Sequence, residues 1–179
     1  MLRWFFRRKL DSEEKRLGES MDYLRHVVEV SPMAFLRFAS IMPFANSRSQ
    51  LPADAWYVAQ LTALKYEDCG PCLQITVNLA QQNGVDPLVI RAVIDDDCSC
   101  LKDDLRVVFD FTQSVMNHAD DDELRENLRS RYGERGLIEM SYAIAAGRIP
   151  PTVKRVLGYA KSCKAVSINI DEPEATKPN

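Results

Sequence analysis

The sequence has no long apolar run, few histidines and little net charge, and each of these absences excludes a class of protein. No stretch of about 18 apolar residues occurs, so we expect no transmembrane helix. The net charge of −3 gives no general attraction to nucleic acid or to an anionic membrane, and we expect no nucleic acid as a partner. With only two histidines, His26 and His118, a histidine-rich metal site is excluded.

The N-terminus also lacks the long apolar stretch and the small-residue cleavage site of a secretory signal. Residues 1–11 are basic with a short apolar insert, Trp4-Phe5-Phe6, and we interpret them as a packed or frayed N-terminal arm. A weak contact with a membrane surface or a partner is the alternative. Without an export signal we expect a cytoplasmic protein with reduced thiols. Its five cysteines then point to catalysis, metal binding or simple burial rather than to a disulfide framework.

Apolar residues recur three or four positions apart through most of the chain, which predicts an all-α protein. We expect one helical domain over residues 12–166, without internal repeats, and a disordered polar tail over 167–179. Residues 42–50 are predicted to form a polar loop, whereas Asn83-Gly84 and Gly147 are predicted to end helices. Predicted helices begin near residue 12, at Ser31-Pro32, at Pro52, after residue 69, at Pro87, near Leu101, at Asp120, at Leu137 and at Pro150.

The strongest chemical signal is Cys69-Gly-Pro-Cys72 at the predicted start of a helix. Two cysteines with this spacing can close a small disulfide, and the backbone N–H groups and dipole at a helix N-terminus favour a thiolate, which is the nucleophile. Pro71 suits the first turn because its missing N–H would have no partner there. The motif therefore predicts a thiol that can be activated.

The charges next to the motif act in opposite directions. Glu67 and Asp68 place negative charge beside the thiols, which disfavours the thiolate. We expect Lys65 to offset part of this effect.

The same four residues form the dithiol of thioredoxins, but a thioredoxin fold needs a strand directly before the motif. Here a helical pattern leads into it, from Trp56 to Lys65. The segment after the motif alternates like a strand from Leu73 to Leu79, yet it also fits helical faces, and we interpret it as a helix. We therefore reject the thioredoxin fold and retain the dithiol chemistry.

Residues from Pro52 to about Ile94 resemble the AhpD-like alkylhydroperoxidase and carboxymuconolactone decarboxylase superfamily. The resemblance comprises a helix, then Asp68-Cys-Gly-Pro-Cys-Leu-Gln, then Ala80-Gln-Gln-Asn-Gly-Val-Asp-Pro87. It implies an all-α fold that forms homo-oligomers. It also implies a peroxidase-like antioxidant oxidoreductase that reduces a small hydroperoxide or a disulfide, is recharged by a thiol reductant protein and needs no cofactor or metal.

The resemblance further implies that Cys72 is the peroxidatic thiol and Cys69 the resolving thiol. In active members a Glu twelve residues before the first cysteine and a His four residues after the second relay protons; these positions hold Tyr57 and Thr76 here. Neither side chain is a comparable base near neutral pH. The alternative hypothesis is therefore a non-catalytic scaffold or binding module that has lost this relay.

The remaining cysteines leave several interpretations open. Cys98-Ser99-Cys100 is a second dithiol that relays electrons to the first, or part of a four-thiolate zinc site with Cys69 and Cys72, or two small residues at a helix junction, which we favour. Cys163 is expected on the last helix, either in the hydrophobic core or partly buried. Tyr57 and Tyr66 can donate hydrogen bonds to a sulfur or a substrate, although we expect them to pack in the core.

Overall fold

The computed structural model describes residues 2–160 and 167–168. Within these residues the chain forms α-helices and two short 3-10 helices and contains no β-strand, which confirms the predicted all-α class. The 3-10 helices are Met42–Asn46 and Cys98–Cys100. The α-helices are α1 (Leu2–Leu17), α2 (Asp22–Val30), α3 (Pro32–Ile41), α4 (Ala53–Tyr66), α5 (Gly70–Gln82), α6 (Pro87–Ile94), α7 (Asp103–Met116) and α8 (Asp122–Val156).

Helix α4 is the centre of the main hydrophobic core. Every residue from 55 to 64 is buried, and the helix packs against α5, α6, α7 and α8. The buried Thr62 hydroxyl of this helix donates to the Val58 carbonyl at 2.7 Å, so it is paired within the helix. Because the dithiol motif follows directly after α4, it is attached to the most deeply buried helix of the domain.

Helices α1 to α3 form a second, smaller apolar cluster, and α1 includes the predicted N-terminal arm. The Phe6 side chain is buried, and its ring centroid lies 4.8 Å from that of Phe35. The sequence pattern predicts one helix from about residue 12 to residue 30, just before the start at Ser31-Pro32, and this prediction is wrong. Helix α1 ends at Leu17, Gly18 takes φ of 73°, which favours glycine, and α2 begins only at Asp22.

Several predicted helix boundaries are confirmed by the capping geometry. The Ser31 hydroxyl accepts the Ala34 amide at 3.2 Å and so caps α3. Helix α5 ends at Gln82, and Gly84 follows with φ of 78°. Part of the loop predicted over 42–50 is instead the first 3-10 helix.

The predicted helix end at Gly147 is wrong. Helix α8 continues through Gly147, Pro150 and Pro151, and its interruption lies earlier, at Gly133, where φ is 70° and ψ is 176°. Gly147 has a packing role. A Cβ atom added to it would lie 2.9 Å from the Gln60 carbonyl oxygen of α4, so the glycine allows the two helices to approach closely.

Two expectations fall on residues outside the described ranges. Cys163 lies outside the described residues, and so does the predicted tail except for positions 167 and 168. Across the residues that are described, no helix combines the length and the apolar character that crossing a bilayer requires.

Candidate functional site

The two cysteines of the motif lie at the N-terminus of α5, as the sequence predicts. Cys69 is the N-cap residue, and Gly70, Pro71 and Cys72 are the first three residues of the helix. Their Cα atoms are 5.4 Å apart, in the range that disulfides occupy, and their sulfurs are paired as a disulfide. Cys72 therefore sits where unpaired backbone N–H groups and the helix dipole stabilise an anion.

The two cysteines differ in their relation to the cavity that lies beside α5. Both side chains are buried, but Cys72 lines a cavity of about 320 Å³, and Cys69 is not among the residues that line it. A reactant in the cavity can therefore contact Cys72.

The cavity lies where α1 and α2 cover α4, α5 and α8. Its volume is at the lower end of the range for small-molecule sites, about 300–1,000 Å³. Much of its wall is apolar, supplied by Leu10, Leu17, Met21, Leu24, Phe38, Met42, Ala45, Leu64, Ile75, Leu79, Ala146 and Pro150. The charged side chains that line it are those of Glu13, Arg16 and Lys154.

Tyr57 and Thr76 both line this cavity together with Cys72. The Tyr57 hydroxyl accepts a hydrogen bond from Asn83 Nδ2 at 3.0 Å, and burial raises the pKa of Tyr57 although Arg48 and Asn83 lower it. The Thr76 hydroxyl donates to the Cys72 carbonyl at 3.2 Å. Neither group is a base near neutral pH, so the two positions are at the site but do not form a Glu–His relay.

The charges around the motif are paired differently from the sequence expectation. Lys65 forms an ion pair with Asp96 at 2.5 Å and donates to the Val93 carbonyl at 2.8 Å, so its ammonium points to α6. Glu67 instead pairs with two arginines of α8, Arg148 at 3.1 Å and Arg155 at 3.3 Å. These arginines, rather than Lys65, compensate the charge of Glu67, two residues before Cys69.

A buried lysine in the cavity wall was missed by the sequence reasoning. Lys154 is only 3% exposed, and its Nζ lies 5.0 Å from the centroid of the Tyr23 ring. Burial lowers the pKa of Lys154, and Glu19 partly opposes this shift. Its position in an amphipathic, basic stretch of α8 gives no sign of burial, because that burial depends on α1 and α2 folding back over the helix.

Cys98 and Cys100 lie on the second 3-10 helix, between α6 and α7, which fits the helix-junction interpretation. Cys98 is half-buried and Cys100 is exposed. The Asp97 carboxylate accepts hydrogen bonds from the Ser99 amide at 3.2 Å and from the Cys100 thiol at 3.9 Å. Within the described residues no group of three or more His, Cys, Asp or Glu side chains is placed to hold a metal ion, so the four-thiolate zinc arrangement is not formed there.

The other residues singled out in the sequence do not line the cavity beside Cys72. Tyr66 is exposed and its hydroxyl accepts a hydrogen bond from Asn117 at 3.1 Å, so the expected core position is wrong for this residue. His26 is exposed on α2, with its ring centroid 5.8 Å from that of Tyr159. His118 follows α7 in a turn, with φ of 58°.

Comparison with known proteins does not assign the chain to a family. No family model matches the sequence, and no curated protein or solved structure gives a significant match. The AhpD-like resemblance of residues 52–94 therefore stays a prediction, and the proposals below depend on the geometry of the site.

Proposed function

We propose that the chain is a thiol-dependent oxidoreductase of the AhpD-like type, which cycles Cys69 and Cys72 between dithiol and disulfide. The observation that carries the proposal is the position of Cys72, which lines a cavity at the N-terminus of α5 with the Cys69 sulfur at bonding distance. This arrangement gives one thiol access to a reactant and keeps the second ready to form a disulfide.

The proposed reaction with a hydroperoxide has two steps. The Cys72 thiolate attacks one peroxide oxygen, so that an S–O bond forms as the O–O bond breaks, and the leaving alkoxide takes a proton from water. The Cys69 thiolate then attacks the Cys72 sulfenic acid, forming the disulfide and releasing water after protonation. An external dithiol, such as a thiol reductant protein, returns two electrons by thiol–disulfide exchange.

The alternative proposal is a non-catalytic scaffold of the same type. It is favoured by Tyr57 and Thr76, whose hydrogen bonds to Asn83 and to the Cys72 carbonyl leave no strong base beside the thiol. A disulfide partner instead of a peroxide would still allow oxidoreductase activity, because thiol–disulfide exchange needs only the two thiols.

Thiol counting after exposure to cumene hydroperoxide distinguishes the two proposals. We expect the reduced protein to lose both motif thiols and to consume the peroxide. We expect the Cys72→Ser variant to lose this activity and the Cys69→Ser variant to accumulate a sulfenic acid that dimedone traps on Cys72. The matched control is Cys100→Ser, which removes an exposed thiol and should leave the rate unchanged.

Two results would decide against one proposal or the other. If Cys72→Ser consumes the hydroperoxide at the rate of the unmodified chain, the oxidoreductase assignment is wrong. If neither cumene hydroperoxide nor oxidised thioredoxin oxidises the motif faster than the exposed Cys100, the scaffold proposal is the better one.

Two further expectations are included in the proposal, one from the resemblance and one from the missing export signal. We propose that the chain forms a homo-oligomer and works in the cytoplasm, where thiol reductants are available. Sedimentation of the purified protein at micromolar concentration tests the first part, and a monomer under those conditions would contradict it.

A further inference from the structure

The cavity beside Cys72 contains one positive charge that the protein itself does not neutralise. Lys154 is almost fully buried in the cavity wall, and among the described residues it has no hydrogen-bond or ion-pair partner. Its ammonium group lies over the ring of Tyr23, at 5.0 Å from the centroid. A buried charge without a counter-ion costs free energy, and an anionic ligand would remove that cost.

The other charged groups of the cavity do not supply this counter-ion. The Glu13 carboxylate is paired with Arg16 at 2.6 Å, so these two residues of α1 neutralise each other. Burial lowers the pKa of Lys154, and the charge of Glu19 only partly opposes this; within the described residues Glu19 forms no ion pair with it. The groups that line the cavity therefore carry a net charge of one positive unit, which suits a monoanion better than a dianion.

The Lys154 ammonium is also reachable from the cavity. No buried side-chain nitrogen or oxygen in the described part of the chain is both sealed from solvent and without a hydrogen bond. Since Lys154 Nζ has no hydrogen-bond partner among the described residues, it keeps some contact with solvent. The ammonium can therefore form a direct ion pair with a ligand that enters the space beside Cys72.

The chemistry of the wall defines the rest of the ligand. Most of the remaining wall is apolar and includes Leu10, Met21 and Ile75, beside the mutually paired Glu13 and Arg16 and the uncharged polar residues Tyr57 and Thr76. We propose that the cavity binds a small amphipathic carboxylate, whose carboxylate group pairs with Lys154 and whose apolar part lies against this wall beside Cys72. Lys154 is thus a binding residue of the site.

This inference deepens the proposed function and rests on it for one point, that the ligand is also the substrate. The substrate class would then be an organic hydroperoxide that carries a carboxylate group. Its peroxide reacts with Cys72 by the two steps given above, while the ion pair with Lys154 positions it without taking part in electron transfer.

A binding experiment on the disulfide form tests the site without any redox chemistry. Octanoate and 1-octanol are probes with chains of the same length, and only octanoate carries a charge. We expect octanoate to bind at least about tenfold more tightly than 1-octanol in calorimetry, as a charge-assisted hydrogen bond would give. The Lys154→Met variant, which keeps the side-chain volume, should lose this preference, and Lys102→Met, which removes an exposed lysine, should keep it.

A second measurement on the unmodified chain locates the ligand even if Lys154→Met fails to fold. Octanoate should shift the methyl resonances of Ile75 and Leu24, which line the cavity, and leave Ile138, which is exposed elsewhere on α8, unchanged. Equal binding of the two probes, no binding of either, or shifts at Ile138 instead of Ile75 would overturn the proposal.

The two proposals can fail separately. If octanoate binds through Lys154 but Cys72→Ser consumes hydroperoxide like the unmodified chain, only the proposed function is wrong. If Cys72 reduces cumene hydroperoxide but octanoate shows no preference over 1-octanol, only the carboxylate site is wrong.

Discussion

The carboxylate of Glu139 in α8 accepts the backbone amide of Leu51 at 2.7 Å, across a sequence separation of 88 residues. The same carboxylate accepts the amides of Ser49 at 3.0 Å and Gln50 at 2.8 Å, and the Ser49 hydroxyl at 2.6 Å. Glu139 is buried, so these bonds form where water does not compete. The side chain thus fixes the segment that leads into α4, the helix before the dithiol.

We predict that Glu139→Gln lowers the free energy of unfolding by roughly 2 kcal/mol or more, the scale of hydrogen bonds to a charged group. The amide of glutamine accepts through one atom only, and its NH₂ group would face backbone donors. Urea denaturation of both proteins measures the difference. Glu134→Gln is the matched control, because Glu134 is 72% exposed on the same helix and should change stability little.

The stabilisation by Glu139 should also depend on pH. Burial raises the pKa of this carboxyl, but the hydrogen bonds from Leu51, Ser49 and Gln50 outweigh it and lower the pKa from 4.5 to about 2. Since the pKa is lower in the folded state, the stabilisation is complete above pH 4.5 and is lost as the pH falls towards 2.

The measurement is the free energy of unfolding of the unmodified chain and of Glu139→Gln as a function of pH. The difference between them should be constant from pH 7 to about pH 5 and should shrink below that range. A difference that stays unchanged down to pH 3 would show that the carboxylate is not held by these bonds.

Substitutions at two adjacent phenylalanines test whether the N-terminal segment is part of the packed domain. Phe6 is 6% exposed and Phe5 is 58% exposed. We predict that Phe6→Ala destabilises the protein by about 3–5 kcal/mol, as removal of a buried aromatic ring does. Phe5→Ala is the control and should cost less than about 0.5 kcal/mol. Similar thermal denaturation of the two variants would indicate that α1 does not pack as described.

The two cysteines of the second 3-10 helix should react at different rates. Cys100 is exposed, whereas Cys98 is half-buried and its pKa is raised by burial and by the charges of Asp110 and Asp96. Because the thiolate is the reactive form, we expect iodoacetamide to modify Cys100 several-fold faster than Cys98 at pH 8, measured by peptide mass spectrometry. The rates should converge in urea, and equal rates in the folded protein would contradict the prediction.

The parts of the fold that were predicted correctly depend on local physics. The start of α5 at the dithiol and the stop at Asn83-Gly84 follow from helix capping and from glycine in the left-handed region, which neighbouring residues determine. The predicted helix start at Pro87 is confirmed for the same reason.

Several of the failures depend on contacts between distant segments, whereas the break at Gly18 between α1 and α2 is a local glycine effect. Whether Gly147 ends a helix or lies inside one is decided by its packing on Gln60 of α4, which local sequence does not encode. Glu67 pairs with Arg148 and Arg155, and the Glu139 carboxylate accepts the Leu51 amide. Each of these contacts joins residues more than 80 positions apart. The burial of Lys154 likewise requires α1 and α2 to cover α8.

The contact between Gly147 and the Gln60 carbonyl has an evolutionary consequence. Any larger residue at position 147 would push α8 away from α4, which also carries Tyr57 and leads to the dithiol. Natural selection for the cavity should therefore act on position 147 even though it touches no reactant. In homologues that retain this function, we expect a glycine at the equivalent position to persist where the neighbouring surface of α8 has diverged.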